Sequence, residues 1–444
     1  MTPYERVRLT VVLHSAWTKV RASGLVSKSN SIKEDTRAFD ADWLNKIDKI
    51  YRQLQRETFR FDEEHGITPP KGKGKSGVRP MVIGSIPNRI VRRAILDVLQ
   101  GYGALTDHPR KRWAGIPAVR NVMATPTSIG GIVDRGVPVG LALIDAAVRN
   151  RQHWFIRSDI RNFFTKIPTR EVKDFIAASV NDARFTSLFN DALSTNLRNQ
   201  RELEERDMFK LFPDPELGMA QGSALSALAG NIALRDFDAR MNDKGIVCVR
   251  YIDDFIILGK SFAHVQKAYG SARSILKNMG MDVYDLSDPA ARHDGKADSG
   301  NIYDGTEVLG YCISGSSRHP CKKACANFLQ KIDVLLSDGA KAMNKAARGQ
   351  KIASNAMLYH QTIVQVNRVT WSWSQAFAHT TARHVFVDLD REIDKRLQTF
   401  DRTFEKLTGS APEPVRRKVR GVHLLEDTAK KEFPASGPPI SAAA

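Results

Sequence analysis

Two apolar runs, Val247 to Val249 and Phe255 to Leu258, flank a pair of adjacent carboxylates, Asp253 and Asp254. Short apolar and β-branched runs around such a pair predict two buried strands joined by a tight turn that carries both acids. Elsewhere the apolar positions recur at helical spacing. Leu44, Ile47, Tyr51 and Leu54 predict a helix capped by Asp40, and Ile90, Ala94 and Val98 predict a second one. From Ser128 to Ala147 glycines give way to an amphipathic helix that carries no evident chemistry. Trp154-Phe155-Ile156 predicts a strand running into Asp159, after which the paired aromatics Phe163 and Phe164 follow. Beyond Ser314 the pattern is helical and basic, with Val385, Leu389, Ile393, Leu397 and Phe400 on one face.

Composition changes this picture mainly through charge. With 444 residues there is room for about two to four compact units. The 67 Lys and Arg against 49 Asp and Glu leave +18, which suits a polyanion, either nucleic acid or an anionic membrane surface. No apolar run approaches the roughly 20 residues of a membrane span, and the first residues do not resemble a secretory signal, so nucleic acid is favoured. Four cysteines are too few for a disulfide framework, and no Cys/His set completes a zinc site. Reduced thiols in a cytoplasmic protein without membrane contact are the expectation.

Two basic stretches stand out. In Lys71-Gly-Lys-Gly-Lys-Ser-Gly77, glycines allow close approach to a phosphate that Lys73, Lys75 and Arg79 would meet, while a solvated basic linker accounts for the pattern equally well. The glycine spacing is not that of a nucleotide-binding P-loop. Arg89, Arg92 and Arg93 form a stripe on the second helix that leans towards phosphate contacts. For Trp371 and Trp373, core packing is favoured over stacking on bases. After Gly409 the chain turns Pro-, Ala- and basic-rich, predicting a flexible tail.

Burying ionised carboxylates is costly unless something neutralises them, so a divalent cation suits Asp253 and Asp254. A plain polar turn is the alternative for that pair, and a helix cap is the alternative for Asp159. Together the three acids make the set that two-metal phosphoryl transfer requires, and hard oxygen ligands select magnesium or manganese. Between them, Gln221-Gly222-Ser223 looks like a loop feeding a tightly packed helix.

Asp159-Ile160 with Phe163-Phe164, then Gln221-Gly222-Ser223-Ala224-Leu225-Ser226, then Tyr251-Ile252-Asp253-Asp254, resemble motifs A, B and C of reverse transcriptases in order and spacing. Arg79-Pro80 with Asn88-Arg89-Ile90-Val91 resembles the fingers block of that family, and Val308-Leu309-Gly310-Tyr311 the hairpin linking palm to thumb. The similarity covers roughly residues 15–405. It implies an α+β right-hand polymerase with helical fingers, a palm whose antiparallel sheet carries the Asp-Asp hairpin, and a helical thumb. The implied division is 1–145 for an N-terminal extension and fingers, 146–315 for the palm, 316–408 for the thumb and 409–444 for the tail.

The resemblance further implies an RNA-directed DNA polymerase using two Mg2+ ions, with Mn2+ as a substitute. Asp159, Asp253 and Asp254 would be catalytic, with metal ligation at Asp159, Ile160, Asp253 and Asp254. Lys75, Arg79, Phe164 and Gln221 would contact the nucleotide, and Arg89, Arg92, Arg93 and Tyr251 the nucleic acid. Phe164 matches the aromatic that excludes a 2′-hydroxyl; RNA-dependent RNA polymerases usually carry an aspartate there. Lys296 is a candidate for the lysine that usually follows motif C.

Among reverse transcriptases, no endonuclease, protease, RNase H or integrase segment is recognisable. The Val-Thr-Gly signature of retrons is absent, and motif B has Ala220-Gln221 where diversity-generating enzymes have Ser-Gln. The expectation is a stand-alone bacterial enzyme of the unknown-group or abortive-infection type, related to group II intron-like enzymes and serving anti-phage defence. Its partners would be dNTPs, a structured non-coding RNA and the cDNA product, with a homo-oligomer or partner protein left open. The alternatives are untemplated or protein-primed synthesis, for which Tyr303 or Tyr311 is a candidate primer, and a non-catalytic maturase-like RNA scaffold.

Overall fold

The computed structural model describes residues 1–70, 77–103, 112–214, 216–243, 245–353 and 356–425. The chain divides into two compact units at Asp304 and Gly305.

The first unit opens with helices Pro3–Val7, Thr10–Leu25, Asn30–Asp40 and Trp43–Gln55. The last buries Ile47, Ile50 and Leu54, but its N-cap is Asp42. Asp40 instead ends the preceding helix and pairs with Arg21 at 2.7 Å. The two helices nearly abut, so the aspartate expected to start one is consumed in finishing the other. Strands β1 (His65–Ile67) and β2 (Met81–Ile83) pair antiparallel across the Lys/Gly stretch. Lys73 and Lys75 lie outside the described residues. Helix Ile86–Gln100 starts at Ser85, whose hydroxyl accepts from the Asn88 N–H at 3.3 Å, and it buries Ile90, Ala94 and Val98 as its spacing predicts.

The palm sheet is formed by β3 (Trp154–Asp159), β4 (Val247–Tyr251), β5 (Asp254–Gly259) and β6 (Ala297–Asn301), in the order β4-β5-β3-β6 with every pairing antiparallel. Helices Val137–Arg149, Arg235–Met241 and Phe262–Asn278 pack on it and bury Phe155 and Ile156 of β3 and Phe255 to Leu258 of β5, whereas the edge strand β6 is mostly polar. The fold is therefore α+β, and the acidic turn joins β4 to β5.

The second unit begins with an antiparallel meander, β7 (Thr306–Val308), β8 (Tyr311–Ser314) and β9 (Ser317–Pro320). Helices Lys322–Ala347, Tyr359–Ala376, His384–Thr408 and Glu413–Arg420 follow, around a core that includes Phe328, Ile332, Met343, Ile393 and Phe400. Trp373 is part of this packing and stacks on Phe328 at 4.3 Å, whereas Trp371 is 64% exposed, so core packing holds for one tryptophan only. Part of the tail expected from 409 onward is helical. Glu413–Arg420 is a helix whose Val419 is fully buried and whose Val415, one turn earlier, packs against the same core. Among the described residues no helix is long and apolar enough to cross a membrane, and the four cysteines are free.

Candidate active site

β3 lies between β5 and β6, and its register sets Asp159 directly across from Asp254. Residues opposed in this way project from the same face of the sheet. Asp253 is the second residue of the two-residue loop between β4 and β5, and its carbonyl accepts from the Ile160 N–H at 2.8 Å. The three acids predicted from the sequence are thus brought to one end of one sheet. Tyr251, 39% exposed, closes β4 opposite Asp254.

Burial dominates the electrostatics. It raises Asp253 above the usual carboxylate range, with Arg79 and Arg250 pulling the other way. Asp254 is pushed up to about 6 by burial, opposed by Arg157 and reinforced by Asp253. Its Oδ1 is buried without a hydrogen-bond partner, an orphan that normally calls for a ligand. An oxygen-only donor set with an unpaired buried oxygen fits a hard divalent cation. Among the described residues no three His, Cys, Asp or Glu side chains are gathered closely enough to close on an ion unaided. Positive charge comes instead from Lys296, whose ammonium meets the Asp159 carboxylate. Lys296 precedes β6, and its carbonyl accepts from the Asp159 N–H at 3.1 Å. It also lies 5.6 Å from the centre of the Tyr284 ring, over whose face Arg161 sits at 4.5 Å.

The remaining predicted residues fall into two groups. Arg79 is exposed just before β2, and its charge reaches Asp253. Phe164 is half-buried, with its ring 5.4 Å from that of Phe163, and its carbonyl accepts from the Met219 N–H. The Gln221 carbonyl accepts from the Val82 N–H at 2.9 Å, which stitches this loop to β2. At the next position Gly222 has φ +110°, and an added Cβ would stand 2.9 Å from the Val82 carbonyl. Only glycine fits that approach.

Beside this loop lies a cleft of about 340 Å³ lined by Lys19, Arg89, Arg93, Val82, Gly222 and Ser223, among others. Arg89 donates to Ser23, and burial lowers its pKa; Arg93 and Lys19 share Asp97 at 2.9 and 2.7 Å. Arg92 lines the same cleft but is engaged within the fold. It is 4% exposed, forms a two-pronged ion pair with buried Glu64 and donates to the carbonyls of Ala192 and Ser194. Each of its three guanidinium nitrogens donates within the fold, and its charge is met by Glu64.

A polar network that no sequence motif marks lies beneath the acidic turn. Arg250, in mid-strand, is fully buried and meets Asp238 through Nε at 2.7 Å and Nη2 at 2.6 Å. An arginine inside an apolar strand was the available signal, since such a charge requires a buried partner. Of the candidate primers, Tyr311 is fully buried and Tyr303 is 53% exposed.

Residues 69–285 match the family described as reverse transcriptase (RNA-dependent DNA polymerase). Protein YkfC of Escherichia coli (strain K12) is 24% identical over 180 residues, covering 39% of this chain and 40% of its own length. The chain thus spans about 40% of the curated relative it matches. Among solved structures, a partial Cas6-RT-Cas1–Cas2 complex overlaps at TM-score 0.32 and 18% identity, over 63% of this chain and 42% of that one. Apo telomerase from Candida tropicalis overlaps at TM-score 0.37 and 12% identity, over 78% and 64% of the two chains.

Proposed function

We propose that the reverse transcriptase domain of residues 69–285, an RNA-directed DNA polymerase in kind, copies RNA into DNA at the carboxylates of Asp159, Asp253 and Asp254. The observation that carries this reading is the register of β3 on β5, which opposes Asp159 to Asp254 inside the matched segment and leaves a buried carboxylate oxygen unpaired. Asp159, Asp253 and Asp254, with the Ile160 backbone, would hold two Mg2+ ions. When bound, such ions stabilise the charge on the attacking and leaving oxygens of an in-line displacement.

The protein side of the chemistry is binding and orientation. Arg79 receives the triphosphate, supported by its reach to Asp253. Phe164 lies under the sugar and excludes a 2′-hydroxyl, which selects dNTPs. Gln221 and Tyr251 border the templating pair and the primer end. Arg89 and Arg93 offer positive charge to the template strand along the cleft beside Gly222. Lys296 balances the charge of Asp159 next to the leaving pyrophosphate.

The template in this reading is a dedicated structured non-coding RNA, and the biological role is anti-phage defence in the bacterial cytoplasm. Support for that level comes from the motifs that set this chain apart from retron and diversity-generating enzymes. The test is to purify the protein with its bound RNA, supply Mg2+ and dNTPs, and sequence both RNA and product. A DNA complementary to the co-purified RNA is expected. A product with no template in that RNA, or one that survives DNase, would overturn it. For the biological role, phage plating on cells carrying the wild-type locus should fall relative to cells carrying Asp253→Ala/Asp254→Ala. Equal plating would remove defence from the account.

A further inference from the structure

Among the described residues Arg250 is the largest side chain with no exposure at all. An apolar residue would fill that space at less electrostatic cost, so the location calls for a reason. Its guanidinium uses Nε and Nη2 on Asp238, and Nη2 also donates to Ser128 Oγ at 2.8 Å and Asn231 Oδ1 at 3.0 Å. That leaves Nη1, which donates to the carbonyl oxygen of Ile252 at 2.8 Å.

Ile252 is the first residue of the acidic turn and has φ +61°. A β-branched residue in the left-handed region is a strained arrangement that persists only when its surroundings impose it. The opposite side of the turn is closed by backbone. An added Cβ on Gly130 would stand 2.5 Å from the Ile252 nitrogen. Asn231 holds that glycine by donating to its carbonyl at 3.0 Å, and the same loop is bonded to β4, with the Arg250 N–H donating to Thr127 and the Arg250 carbonyl accepting from Ile129, both at 2.9 Å.

We propose that Arg250, locked by Asp238, Ser128 and Asn231, is a positioning residue that holds Ile252 in its left-handed conformation and so aims Asp253 and Asp254. The inference rests on the polymerase reading for its kinetic consequence, but the geometry it invokes belongs to the turn itself. Glycine adopts positive φ without strain. If Arg250 works by holding the turn, its replacement must therefore matter less once residue 252 is glycine.

The test is a double-mutant cycle on the full chain with Arg250→Lys and Ile252→Gly, read by kcat, KM for dNTP, RNA affinity and Mn2+ affinity by calorimetric titration. Arg250→Lys should lower kcat by about 30-fold and Mn2+ affinity by about tenfold, with KM and RNA affinity within about twofold. Ile252→Gly alone should cost about threefold in kcat, and Arg250→Lys in the glycine background should cost less than about fivefold more. Equal losses in both backgrounds, or losses that follow the melting temperature, would overturn the proposal and make Arg250 structural only. If Arg250→Lys does not fold, Ser128→Ala takes its place in the same cycle, with about a fivefold loss expected and the same criterion. If wild type makes no DNA yet Mn2+ affinity follows the cycle, the polymerase reading fails and the positioning role stands.

Discussion

Two hairpins in this chain turn in two residues and place a branched side chain at positive φ: Ile252-Asp253 in the first unit and Leu309-Gly310 in the second. The second follows ordinary turn chemistry. Gly310 takes the second left-handed position, with φ +82°, and the hairpin is held by the buried Tyr311 ring, 5.0 Å from Phe377, and by the Cys321 N–H donating to the Gly310 carbonyl. The first has no glycine and carries a carboxylate where Gly310 stands. It is held by a fully buried arginine and its polar partners. Apolar packing suffices where a hairpin only has to exist. A turn that must present two acids against their own desolvation is braced by directional bonds.

Asp253→Asn should reduce DNA synthesis by more than about 10³-fold while leaving RNA binding intact, as measured by primer extension and filter binding. Replacing Phe164 by valine should cut the preference for dNTPs over rNTPs by about 100-fold, read from competing single-nucleotide incorporation. Arg79→Ala should raise KM for dNTP by about tenfold with little change in kcat, as expected for a charge that binds the triphosphate before and during reaction.

A smaller effect concerns stability and pH. With Asp254 raised to about 6 by burial, from 3.8, the folded chain keeps a proton that the unfolded chain has released between those values. Its contribution to stability is therefore full below about pH 4 and is lost as the pH rises through about 6. In protein stripped of divalent ions, Asp254→Asn should then stabilise at pH 8 by about 2–3 kcal/mol and change little at pH 4, as measured by thermal melts. Smallest of all, Leu309→Gly should alter stability by no more than about 1 kcal/mol, because strain relieved at positive φ is offset by chain entropy.

Much of this site was legible beforehand because charge inside an apolar run is a strong local signal. Asp159 ends β3, Asp254 opens β5 and Asp253 lies in the turn before it, each bordering an apolar run. Lys296 carried no such mark: it reaches Asp159 only because β6 pairs with β3, a long-range fact absent from its neighbourhood in sequence. The internal ties of Arg92 were hidden for a related reason. Arg89, Arg92 and Arg93, at i, i+3 and i+4, share one helix face, and what distinguishes Arg92 is its ion pair with Glu64, which precedes β1. Arg250 sat beside the acids in plain view, but its role depends on Asp238, Ser128 and Asn231, which arrive from one helix, a loop and another helix.

On the proposed function, DNA synthesis depends on the acidic turn between β4 and β5. The most direct measurement is single-turnover extension of a primer on an RNA template with Mg2+ and one labelled dNTP, comparing wild type with Asp253→Asn at equal RNA occupancy. The account predicts rapid extension by wild type, none after chelation, and a loss exceeding about 10³-fold in the variant. Extension by Asp253→Asn at the wild-type rate would contradict it.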